Sequence, residues 1–154
     1  MVLILNPFVS PDKNTLLKEV LGIDIGGKYK IICSTGKQFR DTSPENLAIS
    51  LMLYCETNHY KYIGIENIDL LSANNTDTRK LLTVIERVSR QYHTKIIRVD
   101  PMKTSKICHR CHTEANKSRT TNNVFFCIFC NLKVSSDYNA SINIRQRAID
   151  CISG

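Results

Sequence analysis

Cys108-His109-Arg110-Cys111, then fifteen residues, then Cys127-Ile128-Phe129-Cys130, then Asp137-Tyr138-Asn139-Ala140 decide how this 154-residue chain is read. The two C-x-x-C pairs stand at a spacing that marks a zinc site. Two thiolates three residues apart can turn back onto one ion, and a second such pair completes a tetrahedral shell. Cys108, Cys111, Cys127 and Cys130 would fill every position around a Zn²⁺, which makes the expected site structural rather than catalytic. Cys108-His-Arg-Cys111-His112 also matches the haem-attachment pattern C-x-x-C-H. Haem would leave Cys127 and Cys130 idle and would call for an export signal, so zinc is the better reading. A knuckle of this type usually places Gly after its second Cys, where the backbone turns with positive φ. His112 and Asn131 stand there instead, and both residue types tolerate that conformation.

Composition is that of a globular domain: 42% apolar and 23% charged, enough to bury a core. The net charge of +7 is uneven. Residues 1–100 carry +2 and residues 101–154 carry +5, so the cysteine-rich end is the basic end, as suits a polyanionic partner. Lys103, Lys106, Arg110, Lys117, Arg119 and Lys133 decorate it and are candidate nucleic-acid contacts. No signal peptide is visible, and the longest apolar helical run, Leu47–Leu53, is too short to span a bilayer. The expected setting is soluble and intracellular, where paired cysteines mean metal more often than disulfide. Cys33, Cys55 and Cys151 read as small buried hydrophobes.

Upstream, Asn6-Pro7 and Ser10-Pro11-Asp12 are turn signals, and residues 1–19 read as a poorly tied arm. Val20–Ile25 reads as a buried strand, Gly26-Gly27 as a hairpin turn, Lys28–Ser34 and Lys37–Arg40 as two further strands. Ser43-Pro44-Glu45 starts a helix, with Ser as N-cap and Pro at the first position. Lys61–Ile65 is a fourth strand ending at Glu66. Asn74-Asn75-Thr76 reads as a loop, Asp77–His93 as a second helix and Lys95–Val99 as a fifth strand. Val124–Phe126 reads as a strand of the insert. Ser135 or Ser136 caps a last helix reaching about Ile149, with Ala140, Ile144 and Ala148 on one face. The order β-β-β-α-β-α-β, insert, α predicts a mixed five-stranded α/β sheet, antiparallel at first and then parallel, with flanking helices.

Asp24 sits inside an apolar strand, Glu66 at the end of another, and Asp137 at the start of the last helix. A carboxylate in an apolar strand is costly unless something pairs with it. Acids on adjacent strands can share a hard, oxygen-liganded cation such as Mg²⁺. Two such ions about 4 Å apart would suit hydrolysis of a phosphodiester.

Gly22-Ile-Asp24-Ile-Gly26, Ile63-Gly-Ile-Glu66-Asn67, Val99-Asp-Pro-Met-Lys-Thr104-Ser105-Lys-Ile-Cys108, the second cysteine pair and Asp137-x-Asn139-Ala140-x-Ile142-Asn143-Ile144 occur in one order over residues 20–149. Together they resemble the TnpB and Fanzor transposon-associated nucleases and the compact type V CRISPR nucleases. The resemblance implies a RuvC-type nuclease domain of RNase H-like fold over residues 20–104 and 135–150, interrupted by a zinc ribbon over 105–134. It implies Asp24, Glu66 and Asp137 as catalytic ligands of Mg²⁺ or Mn²⁺, and DNA as substrate. Full-length members carry a large N-terminal half that binds guide RNA, whereas about twenty residues precede the first strand here. The expected partners are therefore DNA and either a guide RNA or a separately encoded N-terminal half. Two functions stand side by side. One is a metal-dependent DNA endonuclease domain; the other is a catalytically inactive remnant, or a repurposed zinc-ribbon protein that binds nucleic acid. A weaker third is a zinc-stabilised protein-interaction module.

Overall fold

The computed structural model of the chain describes residues 11–70, 76–114 and 123–154. Helix α1 spans Lys13–Glu19 and runs directly into strand β1, Val20–Gly26. Strands β2 (Lys30–Cys33) and β3 (Gln38–Arg40) follow, then helix α2 (Pro44–Thr57) and strand β4 (Tyr62–Glu66). A 3₁₀ turn at Ile68–Leu70 precedes α3 (Thr76–Ser89) and β5 (Lys95–Val99). The insert contributes β6 (Val124–Phe126) and β7 (Lys133–Ser135), and α4 (Ser136–Ser153) closes the chain.

The five strands form one mixed sheet in the order β3-β2-β1-β4-β5. The β1–β2 and β2–β3 pairs are antiparallel, and the β1–β4 and β4–β5 pairs are parallel. Side chains alternate between the two faces of a strand, so each face carries its own core. Leu21, Ile23, Ile63 and Ile65 pack with Leu47, Leu51, Leu81 and Ile85 of α2 and α3. On the other face, Val20 and Val99 meet Leu16 of α1 and Ile144, Ala148 and Ile149 of α4. Each fully buried aliphatic side chain here contributes roughly 1.5–3 kcal/mol.

Local signals account for most boundaries. Ser43 caps α2, its Oγ accepting from Asn46 N at 3.3 Å, with Pro44 just inside the helix. Ser135 caps α4, its Oγ accepting from Tyr138 N at 3.0 Å. The hairpin between β1 and β2 is wider than Gly26-Gly27. Gly26 pairs with Lys30, and Gly27 and Tyr29 turn the chain with φ of 55° each. Helix α3 begins at Thr76 and stops at Ser89 rather than His93. There the backbone tightens, with Gln91 N–H donating to Val88 and Tyr92 N–H to Ser89.

Two expectations need correction. Residues 13–19 are not a loose arm. Leu16 is fully buried against α4, and Arg145 donates from Nε to Val20 O at 3.1 Å and from Nη2 to Leu17 O. The turn signals of Ser10-Pro11-Asp12 hid a seven-residue helix whose ties lie more than a hundred residues away; residues 1–10 lie outside the description. Cys151 is exposed, on the outer side of α4, while Cys33 and Cys55 are buried as expected. Among the described residues, no helix is long and apolar enough to cross a membrane.

Candidate metal and nucleic-acid site

Asp24 and Glu66 come together through strand register. Gly22 pairs with Gly64 across β1 and β4. Two residues further along each strand the side chains return to the same face, which places Asp24 beside Glu66 on the face that α4 covers. Close packing then sets the height of α4. A Cβ on Gly22 would lie 2.1 Å from Ser141 O, and one on Gly64 would lie 2.8 Å from the Ala148 Cβ. Asp137, in the first turn of α4, is thereby delivered to the strand ends. Gly26 leaves it room, since a Cβ there would sit 3.2 Å from Asp137 Oδ2.

Asp24, Glu66 and Asp137 line one cleft of 260 Å³, together with Pro101, Thr104, Ser105, Ser136 and Ala140. No Lys or Arg is among these residues. Burial pushes Asp24 up to about 8, and the charges of Glu66 and Asp137 push in the same direction. Burial also raises Glu66, though the Thr104 hydroxyl and the Arg147 guanidinium pull the other way. Thr104 Oγ1 donates to Glu66 Oε1 and is within 3.2 Å of Pro101 O. The arrangement concentrates negative charge at the ends of two parallel strands and the start of a helix, which favours a small hard cation.

The four cysteines form a second cluster. Their sulfur atoms all lie within 4.8 Å of one another, a geometry that can hold a metal such as zinc. Cys108 Sγ lies 3.6 Å from Cys130 Sγ, and Cys111 Sγ lies 3.6 Å from Cys127 Sγ. Both knuckles are built alike. Cys108 N–H donates to Thr113 O and His112 N–H to Cys108 O; Cys127 N–H donates to Leu132 O and Asn131 N–H to Cys127 O. His112 and Asn131 adopt φ of 61° and 63°, so both turn positions take the conformation that glycine would supply. Burial pushes the Cys108 thiol up to about 12, whereas hydrogen bonding with Thr113 holds Cys111 down at about 6.

Two asparagines, quoted in the sequence motifs but given no role there, connect the clusters. Asn139 is fully buried; its Oδ1 accepts from His109 N at 2.9 Å and its Nδ2 donates to Ile107 O at 2.8 Å. It therefore grips the backbone on both sides of Cys108. Asn143, one turn later, donates to Thr104 O at 2.9 Å and to Ile107 O at 2.7 Å. The signal was present in the sequence: two asparagines four residues apart on the otherwise apolar face of a helix call for buried partners.

The six basic candidates are not equivalent. Lys103 Nζ pairs with Glu114 at 3.0 Å, and Arg110 Nη2 donates to Cys130 O at 2.6 Å. Lys106 and Lys133 are exposed. Lys117 and Arg119 lie outside the described residues. Ile128 and Phe129, at the tip of the second knuckle, are 50% and 62% exposed, an unusual position for large apolar side chains.

Comparison with known proteins supplies a frame for these clusters. Residues 79–144 match the family model of the Cas12f1-like TNB domain. No curated protein matches the chain in sequence. Among solved structures, the cryo-EM Cas12f1–sgRNA–target DNA complex contains a similar chain, with a TM-score of 0.66 and 18% identity over 94% of this chain and 51% of that one. A CRISPR–Cas12f ternary complex gives a TM-score of 0.67 and 18% identity, covering 94% of this chain and 40% of that one. CasPhi-2 (Cas12j) bound to crRNA gives 0.55 and 17%, over 69% and 20% of the respective chains. The chain thus spans about half, or less, of the length of the nucleases it matches. At these identities the likeness is one of fold, and it extends through both the mixed sheet and α4. Taken with the family-model match over residues 79–144, it makes this chain similar to the compact Cas12-like proteins in fold, and similar in sequence to the Cas12f1-like TNB domain over that segment.

Proposed function

We propose that the chain is an RNase H-like, RuvC-type nuclease domain that hydrolyses DNA phosphodiesters with Mg²⁺ or Mn²⁺ held by Asp24, Glu66 and Asp137. A structural Zn²⁺ in an inserted ribbon would be held by Cys108, Cys111, Cys127 and Cys130. The observation that carries the reading is the convergence of three carboxylates, from three separate segments, on one cleft without a Lys or Arg in its lining. The residues fit a hard divalent ion: all offer oxygen, and the burial and mutual repulsion that raise Asp24 are both offset by positive charge. Bound there, the ion would supply an activated water and stabilise charge developing on the phosphate.

The chain's own residues do the positioning. Thr104 fixes one oxygen of Glu66. Asn143 holds Thr104 through its carbonyl, and Asn139 holds the segment leading into the first knuckle. The cysteine cluster thus anchors the helix that carries Asp137. Lys106 and Lys133, with exposed side chains, suit phosphate contacts better than Lys103 and Arg110, which already have partners.

One structural neighbour is a complex with sgRNA and target DNA, and another is bound to crRNA. We extend those partner classes to this chain, with a guide RNA or a separately encoded N-terminal half supplying the remaining nucleic-acid contacts. The test is cleavage of single- and double-stranded DNA with Mg²⁺ or Mn²⁺, with and without candidate RNA. Cutting that Asp24→Ala abolishes is the expected result. Absence of cutting under every condition would overturn the nuclease reading.

A second reading, a non-catalytic nucleic-acid-binding protein, has its own observation: exposed Ile128 and Phe129 on the basic insert. It predicts binding that weakens steeply with salt and survives Asp137→Ala.

A further inference from the structure

Ser136 stands between Ser135, the N-cap of α4, and Asp137. It is 4% exposed, yet it lines the carboxylate cleft with Asp24, Glu66 and Asp137. Its backbone is satisfied, since Ser136 N–H donates to Asn123 O at 2.8 Å. Its side chain is not: the buried Oγ has no hydrogen-bond partner among the described residues. Three nearby hydroxyls are engaged. Ser135 Oγ accepts from Tyr138 N, Ser141 Oγ donates to Tyr138 O at 2.7 Å, and Thr104 Oγ1 donates to Glu66. The other such buried atom, His109 Nε2, belongs to a ring packed edge-on against Tyr138 and not to the cleft.

A buried hydroxyl without a partner costs about 1–3 kcal/mol, and an alanine of nearly the same shape would avoid that cost. Serine at this position therefore serves something other than packing of the polypeptide. Its surroundings name the chemistry, because the cleft that Ser136 lines also holds three carboxylates.

Resting on the reading of that cleft as a divalent-cation site, we infer that Ser136 is a positioning residue for the ion's hydration shell. Its Oγ accepts a hydrogen bond from a water that a hard cation keeps. Mg²⁺ and Mn²⁺ held by a few carboxylates retain several waters. Each such water has two protons that need acceptors, and a partner outside the direct ligands carries about 10–100-fold in metal affinity. The burial of Ser136 keeps bulk water from taking its place. This role is distinct from that of Ser135, whose hydroxyl is spent on capping the helix.

The test is Mn²⁺ affinity, read by electron paramagnetic resonance of the free ion, on the full zinc-loaded chain. Wild type, Ser136→Ala, Ser136→Thr and Asp24→Ala are compared, each alongside its metal-free melting midpoint. Ser136→Ala is expected to bind Mn²⁺ about 10-fold more weakly, with a midpoint equal to or above that of wild type. Ser136→Thr, which keeps the hydroxyl, is expected to retain affinity, and Asp24→Ala to lose it. If Ser136→Ala binds Mn²⁺ as wild type does while Asp24→Ala does not, the inference is wrong and the cation site stands. The inference also fails if Ser136→Ala lowers the midpoint without lowering affinity, because Ser136 is then a packing residue. If Asp24→Ala binds as wild type does, the cation site itself fails, and the role of Ser136 with it.

Discussion

Gly22 and Gly64 are register partners on the parallel strands β1 and β4, and α4 crosses the pair so closely that neither position has room for a methyl group. Everything in the carboxylate cleft depends on this contact. It sets the distance between the helix that carries Asp137 and the strands that carry Asp24 and Glu66. The ties between Arg145 and the backbone of Val20 and Leu17 fix the same helix further along.

The two glycines should differ in sensitivity. A Cβ at Gly22 meets backbone, 2.1 Å from Ser141 O and 2.6 Å from Arg145 N, which cannot yield without moving α4. A Cβ at Gly64 first meets the methyl of Ala148. Gly22→Ala is expected to destabilise by about 3 kcal/mol or to prevent folding, and Gly64→Ala by about 1–2 kcal/mol. Urea unfolding midpoints measure the difference. Equal losses at the two positions would mean that α4 adjusts as a rigid body and that the backbone contact at Gly22 is not limiting.

Asn139 should uncouple the two clusters when lost. Asn139→Ala removes the acceptor for His109 N–H and one of two side-chain donors to Ile107 O. The unpartnered N–H alone costs about 1–3 kcal/mol. The four thiols keep their spacing, since none of them bonds to Asn139. The expected outcome is full zinc content by elemental analysis, a lower melting midpoint, and faster amide exchange in the first turn of α4. Zinc loss in proportion to the stability loss would show that Asn139 acts on the knuckle itself.

Much of this was legible in the sequence, for reasons that differ by residue. The cysteine spacing is local, so the knuckles could be read directly, and even the positive φ of His112 and Asn131 followed from what a knuckle requires. The antiparallel start and parallel continuation of the sheet followed from short connections at first and helical crossovers after them, whereas the order β3-β2-β1-β4-β5 came from the structure. Asp24 and Glu66 were legible as acids on apolar strands and Asp137 as an acid opening the last helix, but their convergence rests on Gly22 facing Gly64, a register that no local pattern displays. Helix α1 was missed because Leu16 is its one buried side chain and its anchors, Ile149 and Arg145, lie at the far end of the chain. Thr104 and Ser136 were opaque for the same reason: a hydroxyl in sequence says nothing about which carboxylate it will face.

Chelating the proposed Zn²⁺ of the cysteine cluster should propagate to the cleft. Without metal, a thiolate at Cys111 stands in a cluster whose sulfurs all lie within 4.8 Å. The small core beneath it is essentially Phe125 with the cysteines, Leu132 and Val134. Such a core is too small to hold a fold alone. Chelation is expected to release the protection of described amides at 107–113 and 124–134 in hydrogen exchange, and then that of 136–140, while β1 and β4 stay protected. Loss of protection confined to the insert would break the proposed link through Asn139.

The acid cluster makes a pH prediction with an unusual sign. Burial first, then the charges of Glu66 and Asp137, raise Asp24 to about 8, and burial raises Glu66. In the unfolded chain such carboxyls titrate near 4. Between about pH 4 and 8 the metal-free folded protein therefore holds protons that the unfolded chain has released. The contribution of Asp24 is full below about pH 4 and is lost as pH rises through about 8, opposite to that of a salt-bridged carboxylate; Glu66 acts in the same direction. At the proposed cation site Mg²⁺ would compete with the same protons, so the stabilisation it gives should grow across that window. Melting midpoints of the zinc-loaded protein with and without Mg²⁺, at several values between about pH 5 and 8, provide the measurement. The metal-free midpoint should decline relative to Asp24→Asn, which lacks the titrating group, and the gap opened by Mg²⁺ should widen. A Mg²⁺ increment that is flat across the window would mean that Asp24 does not share its proton's place with the ion.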